Sequence, residues 1–351
     1  MQAITVLFDA RPLQPETRHW GPGVFVENIL RRLSSQFHFR GLAHRFPANG
    51  HFEIVTWPRI PKTGQAFFEI SPLLGGRFEI YWGTNHFLPR FVFRPSVVTV
   101  HDSLIVNNLD REPRQRLRIA SFQSSLRRAR RIATVSRTTA DDLLRIFPAL
   151  RGKLEVIPNG FDRPNGDMIC NCSAANQSGL PYVVMLGAHR PRKNLTLAAA
   201  AVRHAREAGT PMCLYITGNI HPCFRSILAE SGEMIKPVGV LPKQEVMCIL
   251  RNAHALLFPS LYEGFGFPIL EAMAVRCPVI ALDTPINREV AGTAAWLLPH
   301  DVERWADALR TLSINLSLRE ELADKGMENV KRFSWDAAAL AYGQVFSEVC
   351  R

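Results

Sequence analysis

The residues of this chain that are best suited to chemistry lie in one short stretch, P-S-L-Y-E-G-F-G-F-P-I-L-E-A-M, residues 259–273. An apolar run that reads as a strand precedes it, and Pro268 suits the first position of a following helix, where its missing N–H costs nothing. The free N–H groups at the start of that helix suit a phosphate or a sugar hydroxyl. Gly264 and Gly266 would let the backbone approach a ligand closely. The stretch therefore predicts a binding loop between a strand and a helix.

Two glutamates flank this turn. We expect Glu263 on the loop and Glu271 in the first turn of the helix, so that both face one cleft. A carboxylate accepts two hydrogen bonds and fits a pair of neighbouring hydroxyls, so one glutamate could hold a sugar ring and the other a ribose. For either residue alone a structural explanation stays open, because the helix dipole favours an acidic first turn and loop glutamates are common.

The length and composition set the frame for this site. A chain of 351 residues is long enough for two domains, and 47% hydrophobic residues can fill two cores. No apolar run approaches the roughly 20 residues of a membrane-spanning helix, and Asp9 lies where a signal peptide would stay apolar. We therefore expect a cytoplasmic protein.

Cysteine usage and the acidic residues speak against a disulfide framework and a metal site. The seven cysteines form no C-x-x-C pair, and Cys170 and Cys172 are too close together for an ordinary disulfide framework, so we interpret the cysteines as reduced thiols. The chain contains no D-x-D motif and no clustered His and Cys ligands, so we expect no bound metal.

Positive charge is concentrated in the first half of the chain. Residues 1–165 contain 24 Lys and Arg against 13 Asp and Glu, whereas residues 166–351 contain 18 of each, so the whole surplus of +11 lies in the first half. Residues 111–131 supply much of it and carry helical apolar spacing at Leu117, Phe122 and Leu126. A solvated helix face, an anionic membrane surface and a phosphorylated substrate all fit this pattern. We expect no nucleic acid, because no known module occurs and no aromatic residues interleave with the arginines.

Apolar runs and amphipathic segments alternate along both halves. This alternation predicts an α/β fold of two doubly wound, Rossmann-like domains that face each other, with the ligand in the cleft at the carboxyl ends of their strands. We predict a first domain at 1–165, a turn-rich linker at 166–180 and a second domain at 181–333.

The order and spacing of several motifs resemble one known family along nearly the whole chain. E-G-F-G-F-P-I-L-E-A-M resembles the E-x7-E signature of the retaining GT-B glycosyltransferases of family 4. The same family is similar at W-G-P-G-V-F-V-E-N-I-L, V-V-T-V-H-D, R-R-I-A-T-V-S-R-T-T-A-D-D-L, I-P-N-G-F-D, L-G-A-H-R-P-R-K-N and R-F-S-W-D-A-A-A-L-A-Y-G-Q-V-F. The resemblance implies that 334–351 forms a last helix that crosses back onto the first domain.

The resemblance also implies roles in the second domain. Glu263 should contact the hydroxyls of the transferred sugar, and Glu271 the ribose of the nucleotide. The backbone of the binding loop should lie against the sugar and diphosphate, and it comprises Gly264, Phe265, Gly266 and Phe267. The basic loop that begins at Gly187 should neutralise the diphosphate through Arg192 and Lys193.

In the first domain the resemblance singles out His101, Gly21 and Gly23. His101 follows an apolar strand, and the matching histidine of the family lies near the reacting centre. Asp102 could orient this histidine or cap the following turn. Gly21 and Gly23 should close against the phosphates of the donor, although a plain turn would use the same glycines. We count His101, Glu263 and Lys193 as the catalytic candidates.

The implied activity is transfer of a hexose from a nucleotide diphospho-sugar to a hydroxyl, with retention and without a metal. Many members carry Arg where this chain has Ala188, and its G-x-x-x-P-R-K-N form is like a branch rich in bacterial mannosyl- and rhamnosyltransferases of O-antigen and exopolysaccharide assembly. GDP-mannose is therefore the expected donor, ahead of UDP- and dTDP-sugars, with a glycan on polyprenyl diphosphate as acceptor at the inner membrane leaflet. A nucleotide-sugar 2-epimerase and an inactive sugar- or lipid-binding partner are the alternatives.

Overall fold

The computed structural model describes residues 3–43, 52–56, 64–107, 115–163 and 179–351. The chain divides into two units, of which the first comprises Met1–Gly160 and Phe333–Arg351 and the second Phe161–Arg332. Most of the predicted linker at 166–180, together with Cys170 and Cys172, lies outside the described residues.

The first unit contains a parallel sheet whose central strands are almost wholly buried. Within the described residues its strands are β1 Ile4–Asp9, β2 Phe37–Ala43, β3 Glu53–Thr56, β4 Ile80–Gly83, β5 Ser96–Val100, β6 Arg131–Thr134 and β7 Leu154–Val156, in the order β3-β2-β1-β4-β5-β6-β7. The helices between them are α1 Gly21–Leu33, α2 Gly64–Leu74, α3 Leu104–Asn107, α4 Gln115–Arg128 and α5 Arg137–Ile146. Strand β5, S-V-V-T-V, is buried along its whole length, as is typical of strands covered on both faces.

The second unit repeats this construction. Its described strands are β8 Tyr182–Ala188, β9 Cys213–Ile220, β10 Ile235–Gly239, β11 Leu256–Phe258, β12 Val279–Leu282 and β13 Trp296–Leu298, all parallel and in the order β10-β9-β8-β11-β12-β13. Its helices are α6 Leu195–Glu207, α7 Arg225–Ser231, α8 Lys243–Asn252, α9 Phe267–Ala274, α10 Pro285–Ala291, α11 Val302–Ile314 and α12 Leu316–Val330.

In both sheets the chain builds strands first on one side of the first strand and then on the other. The chain moves outward from β1 through β2 and β3 and then returns to β4, and it moves outward from β8 through β9 and β10 and then returns to β11. Loops that leave neighbouring strands in opposite directions open a crevice at the carboxyl edge of such a sheet. The prediction of two doubly wound sheets is confirmed.

The last helix, α13 Trp335–Cys350, belongs to the first unit. The hydroxyl of Tyr342 lies 2.9 Å from that of Thr99 on β5, and the rings of Tyr342 and Phe346 pack at 5.6 and 5.4 Å from Trp82 on β4. Arg32 of α1 forms an ion pair with Asp336 at 2.5 Å. The expected return of 334–351 to the first domain is therefore confirmed.

The basic segment forms a helix as its spacing indicates, but one of its three apolar residues faces outward. Phe122 and Leu126 are buried on the inner face of α4, but Leu117 is 69% exposed. Five residues of α-helix at 3.6 residues per turn place Leu117 about 140° around the axis from Phe122, so both cannot face the sheet. Leu117 lies on the outer face instead. No helix among the described residues has the length and apolar character needed to cross a membrane.

Gly160 marks the point where the chain passes α13. A Cβ at Gly160 would lie 2.1 Å from the backbone nitrogen of Trp335, far inside van der Waals contact. We predict that Gly160→Ala lowers the free energy of unfolding by about 1–3 kcal/mol, because neither backbone can move aside cheaply. Urea denaturation measures the change through the midpoint at constant slope.

Gly343→Ala, on α13 itself, provides the matched control. A Cβ at Gly343 meets its nearest atom, Cδ2 of Leu33, at 3.4 Å, and alanine favours a helix interior over glycine by about 1 kcal/mol. We expect this variant to keep or raise the stability. Equal stability losses in the two variants would contradict the proposed close approach at Gly160.

Candidate functional site

The candidate site lies on two loops at the carboxyl edge of the second sheet. Residues 189–194 follow β8, and residues 259–266 follow β11, its neighbour in the sheet. Because parallel strands end at the same edge, these loops are brought together although they are far apart in sequence.

A buried ion pair joins the loops. Nζ of Lys193 donates a hydrogen bond to Oε1 of Glu263 over 2.7 Å, and the two side chains are only 9% and 14% exposed. Burial opposes ionisation of Glu263, but the charges of Lys193 and Arg192 outweigh burial, and the pKa of Glu263 lies below its ordinary value. The carboxylate of Glu263 is therefore ionised at neutral pH.

Two further contacts fix the relative positions of the loops. The backbone N–H of Leu261 donates to the carbonyl of Arg192 over 2.9 Å. The side-chain amide of Asn194 donates to the carbonyl of Pro259 over 3.2 Å. Asn194 has φ 56°, and this left-handed conformation turns the chain from the basic loop directly into α6. The three contacts hold the basic loop and the glutamate loop as one surface.

Glycines leave the backbone bare beside this surface. Gly187, at the end of β8, has φ 75°, and Gly218 on β9 has φ 78° with a would-be Cβ only 3.6 Å from Cα of Gly187. Gly266 has φ 106° and directly precedes α9. These conformations favour glycine on backbone grounds alone, and they also leave room for a ligand against the chain.

The second glutamate does not occupy the predicted position. Helix α9 begins at Phe267, so Pro268 is its second residue and Glu271 its fifth, in the second turn and not the first. The left-handed Gly266 ends the loop one residue earlier than a start at Pro268 would require. The carboxylate of Glu271 makes no hydrogen bond or ion pair with any described residue. Burial raises its pKa, and the charges of Lys243 and Lys193 partly offset this effect.

The two phenylalanines of the loop pack against each other. Their ring centroids are 5.2 Å apart, and the side chain of Phe265 is buried. Any contact of Phe265 with a ligand would therefore involve its backbone, as predicted for the segment from Gly264 to Phe267.

His101 lies in the first unit, directly after β5. Its Nε2 donates to the carbonyl of Thr84 over 2.8 Å, which leaves the lone pair on Nδ1, and its ring packs edge-on against Phe25 at 5.1 Å. Burial and the neighbouring His86 lower the pKa of His101 to about 4. This imidazole is therefore neutral at pH 7, with a fixed tautomer. Asp102 caps the next turn, because its Oδ1 accepts the N–H of Leu104 over 3.0 Å.

Gly21 and Gly23 lie in the first turn of α1 and not in a free loop. A Cβ at Gly23 would lie 2.5 Å from the backbone of Arg18. Close packing inside the first unit is thus sufficient to require glycine at 23, and contact of either glycine with a donor stays a prediction.

Three contributors to the site were not predicted from the sequence. Asn194 joins the loops by a hydrogen bond, and Gly218 packs closely against Gly187. The positive charge of Lys243 acts to lower the pKa of Glu271. The Asn of R-P-R-K-N, just before a helical pattern, is the available signal for the first. Among the described residues no three His, Cys, Asp or Glu side chains are grouped as metal ligands.

Comparison with known proteins identifies the family. Residues 20–163 match the model of "Glycosyltransferase Family 4", and residues 180–315 match that of "Glycosyl transferases group 1". The O-antigen chain mannosyltransferase B of Escherichia coli is 30% identical over a match of 277 residues, and the match covers 73% of this chain and 71% of that protein. This chain belongs to glycosyltransferase family 4.

Solved structures agree on the fold. The sucrose-phosphate synthase of Thermosynechococcus elongatus superposes with a TM-score of 0.78 at 20% identity over 99% of both chains. The Anabaena protein HepE, solved in complex with UDP and glucose, gives a TM-score of 0.74 at 17% identity over 98% of this chain and 100% of that chain. The predicted GT-B fold of this family 4 glycosyltransferase is confirmed.

The Lys193–Glu263 pair yields a stability prediction. We expect Lys193→Met and Glu263→Gln each to lower the free energy of unfolding by about 3 kcal/mol, because each leaves a buried charge without its partner. The double variant should lose less than the sum of the single losses, with a coupling of about 1.5–3 kcal/mol. Because the pKa of Glu263 is lowered on folding, its contribution should be complete above its ordinary value of 4.5 and be lost as the pH falls below it.

The exposed pair of Lys325 and Glu321 on α12 provides the control cycle. A solvated pair of this kind should give a coupling of about 0.5 kcal/mol or less. Equal coupling in the two cycles would show that the Lys193–Glu263 pair is no more than a surface contact.

Proposed function

We propose that this glycosyltransferase transfers mannose from GDP-mannose to a hydroxyl of a lipid-linked glycan, with retention of the anomeric configuration. The observation that carries the proposal is the buried Lys193–Glu263 pair, with Arg192 and the start of α9 beside it. Two cations, one carboxylate and bare glycine backbone combine what an anionic diphosphate and a sugar need.

Each residue has a defined role in this proposal. Lys193 and Arg192 neutralise the diphosphate, Glu263 accepts hydrogen bonds from sugar hydroxyls, and Glu271 accepts them from the ribose. The glycine-rich backbone from Gly264 to Phe267 lies against the sugar and diphosphate. His101, neutral and buried, is the proposed third catalytic residue, because a neutral imidazole can accept a hydrogen bond from a hydroxyl at Nδ1.

The proposed reaction requires no enzyme nucleophile and no metal. The bond from the anomeric carbon to the diphosphate oxygen breaks, the acceptor oxygen forms its bond on the same face, and the acceptor proton passes to the departing diphosphate. Negative charge increases on that diphosphate in the transition state. Lys193 and Arg192, already held in place, stabilise this charge without reorganisation.

The choice of sugar is supported by the similarity to a protein named as an O-antigen chain mannosyltransferase, at 30% identity. A UDP-glucose-type donor is the second candidate, because HepE was solved with UDP and glucose. The nucleotide therefore separates the two candidates directly.

The proposed acceptor is a glycan on polyprenyl diphosphate at the inner leaflet, where the enzyme acts as a peripheral protein. The charge surplus of residues 1–165 supports this choice, since an anionic leaflet attracts each engaged basic side chain by about 1 kcal/mol. A 2-epimerase would turn over the nucleotide sugar without an acceptor, and an inactive partner protein would bind without turnover.

Nucleotide binding provides the first test. We predict that GDP binds more tightly than UDP, dTDP and ADP in calorimetric titrations. Lys193→Ala and Glu271→Ala should each weaken GDP binding roughly 10- to 150-fold, because each removes one charge-assisted contact. Lys325→Ala, on the exposed α12 pair, is the matched control and should bind like the wild type.

Tighter binding of UDP would move the donor to the second candidate, and no binding of any nucleotide would favour the inactive-partner alternative. Proton NMR of the transfer product then reports its anomeric configuration. An inverted product would overturn retention and leave the transferase assignment in place.

Glu271 adds a pH dependence. Its pKa is raised above the ordinary 4.5 by burial, whereas accepting ribose hydroxyls requires the ionised carboxylate. We therefore expect GDP affinity to fall as the pH decreases through the range just above 4.5. Glu263 stays ionised there because its pKa is lowered.

Glu271→Gln isolates this effect, since protonation of GDP itself affects both proteins equally. The ratio of wild-type to variant affinity should shrink as the pH falls from about 7 toward the ordinary carboxyl value of 4.5. A ratio that stays constant over this range would exclude an ionised Glu271 from nucleotide binding.

A further inference from the structure

Two phenylalanines project from the first unit on the segment between β4 and β5. Phe93 is 80% exposed and Phe91 is 43% exposed, and their ring centroids are 6.4 Å apart. Single exposed apolar residues are common, but adjoining ones mark sites of interaction.

Helix α2 extends this apolar surface. The N–H of Phe91 donates to the carbonyl of Glu69 over 3.3 Å, and the N–H of Arg90 donates to Oε2 of Glu69 over 2.5 Å. Ile70 follows Glu69 directly and Leu73 lies one turn further on, and these two side chains are 38% and 62% exposed. We call Ile70, Leu73, Phe91 and Phe93 the apolar patch.

The end of helix α4 holds the phenylalanine segment in place. The guanidinium of Arg128 donates to the carbonyls of Leu88, Pro89 and Arg90 over 3.0, 2.7 and 3.1 Å. The apolar patch is thus presented on a hydrogen-bonded scaffold, at the end of the basic helix that was singled out from the sequence.

Arginines surround the apolar patch. Arg90 and Arg94 are exposed beside the phenylalanines, and Arg127 is exposed on the adjoining last turn of α4. The carboxylate of Glu69 is engaged by the N–H of Arg90. Aromatic rings with an arginine rim match an anionic bilayer, in which rings enter the interface and guanidinium groups meet lipid phosphates.

We propose that the apolar patch docks on an anionic lipid bilayer, with Phe91 and Phe93 entering the acyl boundary and Arg90, Arg94 and Arg127 on lipid phosphates. This inference deepens the proposed function, on which it rests for a lipid-linked acceptor. A second copy of the chain fits less well, because a two-fold interface would bring this arginine rim against itself. The apolar patch does not include Phe122 and Leu126, the apolar residues in the sequence pattern of α4. These two side chains are buried.

Vesicle sedimentation of the full-length protein tests the proposal without any donor or acceptor. Vesicles of phosphatidylcholine with phosphatidylglycerol should bind the wild type, and the double variant Phe91→Ser, Phe93→Ser should bind roughly 10- to 100-fold more weakly because it loses both rings. Leu340→Ser, which changes a 62% exposed leucine on α13, is the matched control and should bind like the wild type. Arg90→Gln with Arg94→Gln should weaken binding and reduce its salt dependence.

Phe93→Trp gives an independent readout of insertion. Brominated phosphatidylcholine mixed with phosphatidylglycerol should quench the added emission, whereas it should quench Leu340→Trp no more than the wild type. Undiminished vesicle binding by the Phe91→Ser, Phe93→Ser variant, or equal quenching at positions 93 and 340, would overturn the proposal. A wild-type dimer in light scattering that these serine substitutions make monomeric would overturn it in favour of self-association.

The two proposals can fail separately. The serine variants should keep wild-type GDP affinity, since the apolar patch lies in the first unit and the candidate site residues that hold the nucleotide lie in the second. If the wild type does not bind GDP, the proposed function is refuted. The vesicle experiment still decides whether the apolar patch binds lipid, because it uses no donor or acceptor.

Discussion

A single hydrogen bond between two charged side chains, 2.7 Å from Nζ of Lys193 to Oε1 of Glu263, sets the character of the candidate site. Either charge alone would carry a large desolvation penalty at this largely buried position. The attraction between the two charges offsets that penalty. The pair also removes the freedom of both side chains before any ligand arrives. Because Arg192 adds a further positive charge to this pair, the surface remains attractive to a diphosphate.

Under the proposed function, Lys193 and Glu263 exchange partners when a donor binds. A diphosphate beside Lys193 offers it more negative charge than one carboxylate does, and the hydroxyls of a sugar offer Glu263 donors of its own. The backbone bond between Leu261 and Arg192 and the amide bond from Asn194 do not involve either charge. The loops can therefore keep their positions while Lys193 and Glu263 change partners, which is the preorganisation that electrostatic catalysis needs.

In the first unit a second network places His101. Thr84 accepts the histidine proton with its carbonyl and donates its own hydroxyl to the carbonyl of Asp9 over 2.6 Å. Thr99, two residues before His101, bonds to Tyr342 of the last helix. Although α13 is last in the chain, its packing thus helps to hold the end of β5, directly before His101, in position.

Local patterns predict much of this protein, and long-range packing explains what they miss. Apolar alternation was sufficient for the doubly wound sheets, and the strand, glycine turn and helix around Glu263 could be recognised from 15 adjacent residues, 259–273. The close approaches at Gly23 and Gly160, and the contact of Asn194 with Pro259, depend on backbone brought from elsewhere in the chain. Leu117 shows the related limit for a helix, since an apolar residue can satisfy the local pattern and still face away from the sheet.

The two glutamates of the loop show how structure separates residues that the sequence presents as equivalent. They are eight positions apart and both are only partly exposed, yet the pKa of Glu263 is lowered and that of Glu271 is raised. The difference comes from a residue 70 positions before Glu263, because Lys193 bonds directly to that carboxylate and acts on Glu271 only at a distance. A ligand that supplies donors to Glu271 would therefore gain more from it than from a glutamate already paired. On this physical ground Glu271 is suited to distinguish a complete nucleotide from a bare phosphate, whereas Glu263 keeps Lys193 in place until a ligand binds.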